Sequence, residues 1–158
     1  MADSLTARQA LEQWTAELDR ELGWKTTVSS DGVWGFQTHS GMMVMVEAPA
    51  ELDIVVFSAS LGEIADLEDA GFLRGLLACN WYGMSTGPGQ LGLEPGGNRL
   101  AYSMAWLEAR TASVEAFASM LSRFTTIAAK LKECIDQGTI RETSSQSEPT
   151  RLEEFTRV

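Results

Sequence analysis

From Val33 to Leu61 the chain carries three apolar, alternating runs joined by connections of only a few residues, and that brevity decides how they can pair. Val33–Thr38 alternates through Trp34 and Phe36. Met42–Glu47 is rich in strand formers, and Ile54–Leu61 sets Ile54 and Val56 against Val55 and Phe57. Asp31-Gly32 and Ser40-Gly41 are turn pairs, and Pro49 closes the second run. Parallel neighbours need a crossover of about a dozen residues or more. None of these joints supplies one, so the three runs read as an antiparallel meander. A second alternating group, Gln90–Glu94 and Asn98–Leu107, flanks Pro95-Gly96-Gly97 and reads as a hairpin.

Helical periodicity fills the remainder. Within Ser4–Leu22, residues Leu11, Trp14, Leu18 and Leu22 recur at spacings of three and four, with Asp3 or Ser4 as cap and Gly23 as stop. Asp66–Tyr82 places Ala70, Leu73, Leu76, Leu77, Asn80 and Trp81 on one stripe. Asp66 is its expected cap, with Asp69 completing a box. Ser113–Gln137 is the clearest helix, through Val114, Phe117, Leu121, Phe124, Ala128, Leu131 and Ile135, and Gly138 ends it. The expected order is α-β-β-β-α-β-β-α, an α+β fold with helices packed on a twisted antiparallel sheet. The 158 residues fit one domain, expected over 1–138, followed by a flexible polar tail over 139–158.

Composition removes several function classes. Twenty-two acids against twelve bases give a net charge of -10, which disfavours nucleic acid and anionic membrane as partners. The N-terminus lacks a basic head and apolar stretch, and no 18-residue apolar run offers a membrane span. Cytosol is therefore the expected compartment. Cys79 and Cys134 read as reduced, buried thiols within helices. Gly87, Gly89 and Gly92 spell a dinucleotide fingerprint, but a helix precedes them and a strand follows, the reverse of the required context. His39, the single histidine, sits beside Ser40-Gly41 in a turn, and with two distant, helix-borne cysteines it is poor material for a hydrolytic site. The acids Glu63, Asp66, Glu68 and Asp69 suit a helix start. No catalytic, cofactor-binding or metal-binding residue is assigned.

Apolar surplus points instead to binding. Five Trp and seven Met are many for this length, and the meander offers apolar side chains to both faces. One helix layer covers only one face, which leaves apolar surface for a partner. Flexible Met and aromatic side chains suit varied apolar partners.

Leu76-Leu77-Ala78-Cys79-Asn80-Trp81 resembles the second-helix motif of the class I chaperones of bacterial type III secretion, the Tir-chaperone family. Gly89-Gln90-Leu91-Gly92-Leu93, a glycine-rich turn, and Leu100-Ala101-Tyr102-Ser103 extend the likeness, which covers about residues 4–137. Trp81-Tyr82 and Trp106-Leu107-Glu108 depart from the family pattern. The resemblance implies a non-catalytic homodimer of the bacterial cytoplasm that holds the N-terminal region of a secreted effector in extended form. It also allows contact with the secretion ATPase. By matching position, Leu77, Trp81, Leu91 and Leu93 are expected at the dimer contact. Trp34, Phe36, Met43, Met45, Val55 and Phe57 are expected to face the effector. The alternatives are an interaction or regulatory module of the same fold without a dedicated effector, and a small enzyme.

Overall fold

The computed structural model describes residues 5–22, 26–38, 40–64, 68–83 and 85–140. The caps expected at Asp3, Ser4 and Asp66, the stop at Gly23, His39, and the tail from Arg141 lie outside the described residues. Among the described residues three α-helices, α1 (Ala7–Leu22), α2 (Ala70–Cys79) and α3 (Val114–Asp136), interleave with six strands. These are β1 (Thr27–Val28), β2 (Val33–Gln37), β3 (Met43–Glu47), β4 (Val55–Glu63), β5 (Gln90–Leu93) and β6 (Arg99–Trp106). The strands form one sheet in the order β1-β2-β3-β4-β6-β5, with every pair antiparallel.

The meander and the hairpin are thus one sheet, joined where β4 pairs with β6 from Val55↔Trp106 to Glu63↔Arg99. A bulge between Ser60 and Gly62 shifts the register, and Gly62 takes φ +121°, which an L side chain rarely adopts. The two-residue strand β1 was not expected from sequence. It is too short to show alternation and owes its place to β2, which it pairs through Thr27↔Gly35 and Val28↔Trp34.

The helix ends follow local chemistry. Thr6 starts α1 in a reciprocal box: Gln9 N–H donates to Thr6 Oγ1 (3.2 Å) and Thr6 N–H donates to Gln9 Oε1 (2.9 Å). Asp53 reaches the same helix end from the β3–β4 connection. Its Oδ1 accepts from Ala7 N–H (2.9 Å) and its Oδ2 lies 2.8 Å from Arg110 Nη1. This clamp ties three chain segments together and holds Asp53 at φ +49°, a region Asp tolerates better than most residues. Asp69 caps α2, accepting from Phe72 N–H at 3.0 Å. Ser113 caps α3 through Ala116 N–H. Gly138, at φ +65°, closes α3 with Thr139 N–H on Cys134 O and its own N–H on Ile135 O. That turn sends Ile140 back onto α2. Ile140 is buried, and its carbonyl lies 3.1 Å from where a Cβ on Gly75 would sit. Packing onto α2 therefore continues past Gly138, because an apolar residue follows the stop.

Helices α1 and α3 cover one face of the sheet. Trp34, Val46, Phe57 and Met104 form one inward row across four strands, and Phe36, Val44, Ala59, Tyr102 and Leu91 form another across five. Phe57 and Phe117 lie at the centre. Their rings are 6.0 Å apart; Phe57 also meets Phe124 at 5.6 Å and Phe117 stacks on Trp14 at 5.2 Å. Such pairs add about 0.5–1.5 kcal/mol each beyond the area they bury. Truncating this centre leaves a void walled by rigid rings. Phe57→Ala is expected to cost about 3–5 kcal/mol in urea unfolding, against under about 1.5 kcal/mol for an exposed-face change such as Met45→Leu.

Candidate functional site

The same alternation that fills the inner face defines the outer one. Gly35, Met45, Ser58, Ser103 and Gln90 form an outward row, as do Val33, Glu47, Val56 and Ala105. Along β4 and β6 this face is built from Val56, Ser58, Ser60, Ala101 and Ser103, all half-buried, so its floor is low and smooth. Met43 and Met45 rise beside it, 49% and 42% exposed. The Met43 methyl reaches over Gly35, 3.5 Å from where a Cβ there would lie. A floor of Ser, Ala and Gly allows close approach of a partner backbone, and Met can adapt to varied side chains.

This placement divides the six residues expected to face an effector. Met43 and Met45 are on the outer face. Trp34, Phe36, Val55 and Phe57 are at most 6% exposed and point under the helices. The expectation is corrected for those four: in strands of period two they share the inward rows with Val44 and Val46, and α1 and α3 seal that face. The small-residue floor escaped the sequence reading because Ser and Ala carry no apolar signal.

A second surface lies along α2 and β5. Leu77, Trp81 and Leu93 are 71%, 66% and 46% exposed. Leu77 and Leu93 border a shallow groove of about 280 Å³ whose lining includes Leu73, Leu76 and Leu100. Leu91 also lines it but is already buried within the single subunit, packed into the core opposite Tyr102. Three of the four expected dimer residues are therefore exposed, and Leu91 acts as support beneath them.

Asn80 fixes this surface. It is the C-cap of α2, and its side chain grips β5 at one residue: Leu91 N–H donates to Oδ1 (2.8 Å) and Nδ2 donates to Leu91 O (3.0 Å). The loop from α2 to β5 is held from below. Tyr102 Oη donates to Thr86 O at 2.7 Å, and the ring stacks on Phe124 at 4.9 Å. Gly89 lies directly on that ring; a Cβ there would come within 2.5 Å of it. Gly89, a turn glycine by sequence, is thus required for close packing. Asn80 was placed on the inward stripe of α2 by its spacing, which carried no hint of the backbone clamp.

Among the described residues no group of His, Cys, Asp and Glu could hold a metal. A hollow of about 560 Å³ between the β2–β3 turn and the end of α3 contains the Lys132–Asp136 ion pair, closed on itself at 3.0 Å. Cys134 is exposed rather than buried, because Cys134 lies off the inward stripe of α3, whereas Cys79 is partly buried. Burial and the nearby Cys134 push the Cys79 thiol up, opposed by its hydrogen bond with Ser85, which leaves Cys79 a poor nucleophile. No helix among the described residues is long and apolar enough to cross a membrane.

Residues 13–132 match the Tir chaperone protein (CesT) family, from the middle of α1 to the last turns of α3. The chain belongs to that family. Its members are non-catalytic chaperones. No curated protein sequence matches the chain. Solved structures share its fold. A chain of the ExsC–ExsE complex is 18% identical, with 82% of this chain and 95% of that one covered at a TM-score of 0.66. A chain of the HopA1–SchA chaperone–effector complex is 12% identical, covering 80% and 93% at 0.58. The Yersinia pestis type III secretion chaperone SycH, solved with a fragment of YscM2, is 17% identical, covering 80% and 99% at 0.55. At these identities the likeness is one of fold.

The buried phenol gives this family member a pH signature. Burial pushes Tyr102 above its ordinary value of 10.0, with Gly89 N–H and Arg123 opposing. An acid whose folded pKa is raised keeps its proton more tightly when folded, so its stabilising share is complete below about pH 10 and is lost as pH rises above it. Denaturant unfolding from pH 8 to 11.5 is expected to show an alkaline loss of stability that Tyr102→Phe reduces.

Proposed function

We propose that this chaperone is a homodimer that holds an extended segment of a secreted effector against the outer face of its sheet, in the bacterial cytoplasm. The observation that carries this reading is the division of the sheet. The inner face is filled by the chain's own aromatics, whereas the outer face offers a low Ser/Ala/Gly floor beside two exposed Met side chains. An extended segment lying there packs its backbone close to the small-residue floor and sets apolar side chains against Met43 and Met45. Its apolar groups, covered by the chaperone, are withheld from folding the effector itself. The HopA1–SchA chaperone–effector complex, which contains a chain of this fold, supports the same reading. The secretion ATPase, which the family resemblance allows as a partner, has no surface assigned to it among the described residues.

Two measurements test this. Burying one Met side chain contributes about 1.5 kcal/mol or more, so the double substitution Met43→Asp/Met45→Asp should weaken binding of a co-purified effector fragment roughly 100-fold. An unchanged affinity in a folded double variant would remove the outer face from the proposal. For the dimer, sedimentation should give about twice 17.2 kDa. Leu77→Glu should yield folded monomer, since Leu77 is exposed and its loss opens no void. A charge at Leu91 is the wrong probe, because it would disrupt the core of each subunit.

A further inference from the structure

We infer that Asn80 closes the free edge of β5 to strand pairing, so that the α2–β5 surface receives a second copy through its exposed side chains and not by sheet continuation. The inference rests on the homodimer reading above and specifies how that contact is made. Strand β5 ends the sheet, with β6 on one side only. A terminal strand presents outward N–H and C=O groups, and these template association unless something covers them. In an antiparallel pair alternate residues face the partner strand. Glu94 N–H donates to Arg99 O across the β5–β6 hairpin, so residues of even number in β5 face β6. Leu91 and Leu93 therefore direct their peptide groups to the open side.

Asn80 occupies that side at Leu91 with the donor and acceptor pattern of a neighbouring strand. Its amide accepts from Leu91 N–H at 2.8 Å and donates to Leu91 O at 3.0 Å. A primary amide in this pose reproduces the two hydrogen bonds one residue of an added strand would make. An incoming strand would have to displace both, and with them the end of α2, whose C-cap is Asn80 itself. Only Leu93 is left to offer an outward peptide group on a strand of four residues. One residue cannot hold an added strand. The exposed side chains of Leu77, Trp81 and Leu93 remain as the means of contact.

The test compares the full chain with Asn80→Ala and Asn80→Ala/Leu93→Pro, using sedimentation velocity over a hundredfold concentration range and amide exchange at Leu91. Leu93→Pro removes the other outward N–H of β5 without touching a hydrogen bond to β6. Asn80→Ala should speed exchange at Leu91 at least tenfold and produce species larger than the parent that grow with concentration. Adding Leu93→Pro should suppress those species. If folded Asn80→Ala shows the parent's distribution, or if the larger species persist with Leu93→Pro, the inference is overturned. Should Asn80→Ala fail to fold, Asn80→Asp decides the matter, since it keeps the acceptor for Leu91 N–H but loses the donor to Leu91 O. Partial association supports edge closure, and none overturns it. A parent chain that sediments as monomer would refute the dimer reading and the side-chain contact that rests on it, whereas edge closure by Asn80 is still decided by the gain of association in the variants relative to that parent.

Discussion

Strand β4 meets β6 over its whole length, and this one long-range pairing turns two local structures into a protein. The two-stranded β5–β6 hairpin is marginal by itself and gains its place in the core only by joining the meander. Paired from Val55↔Trp106 to Glu63↔Arg99, they align the inward rows so that Phe57 and Tyr102 present to the same helix, α3, through Phe124. The loop closure needed to bring residues 55–63 against 99–106 is offset by a continuous apolar face. Burial at about 25 cal/mol per Å² rewards large, contiguous surfaces. The bulge at Gly62 belongs to the same device, since it lets β4 bend away while Leu61 remains buried.

That pairing also determines which surfaces are left over. A six-stranded sheet has two faces and two edges. The helices α1 and α3 take one face, Asn80 takes much of one edge, and what remains is the outer face and the β1 edge. An exposed apolar face is ordinarily a liability, and here it is softened in two ways. The floor is of small residues with modest apolar area, and the chain's charge of -10 keeps copies apart at distances beyond contact. Short-range adhesion with long-range repulsion leaves apolar surface available for contact without driving indiscriminate aggregation.

Local signals were legible in the sequence, and long-range ones were not. Alternation through Trp34 and Phe36, the Pro95-Gly96-Gly97 turn, and the stripe from Phe117 to Leu131 located strands, hairpin and helix to within a residue or two. Such patterns are fixed by neighbours a few positions away. Alternation also announced that the meander has two faces, but not which one the helices would cover. Both carried apolar residues, and Val55 and Val56 are equivalent by composition. The covering is settled by α3, more than fifty residues away in sequence. Hence Trp34, Phe36, Val55 and Phe57 were assigned to a partner when they belong to the core, while Met43 and Met45 lie exposed on the outer face. Leu91 is buried within the subunit for the same reason: its exposure depends on where α2 comes to rest. Thr6 with Gln9 was a readable capping box, overlooked because Asp3 and Ser4 also offered caps.

Asn80 shows a kind of information that periodicity cannot carry. On a helical wheel it shares a stripe with Leu73, Leu76 and Leu77, so a polar residue there looks like an interruption of an apolar face. Its amide instead meets the one donor and one acceptor that β5 leaves unpaired at Leu91. A buried peptide group without partners costs about 1–3 kcal/mol. An apolar side chain at position 80 would improve the stripe yet leave the part-buried N–H and C=O of Leu91 without these partners. The polar residue is favoured because the hydrogen-bond deficit exceeds what another buried methyl group or two would contribute. Glycine at position 89 follows the same logic in reverse. There the empty volume is what matters, since the Tyr102 ring occupies the space a side chain would need. Both residues act on the same seam, one by adding a polar group and the other by lacking a carbon. Together they hold α2 against β5 closely enough for Leu77 and Trp81 to form a surface and not a loose end.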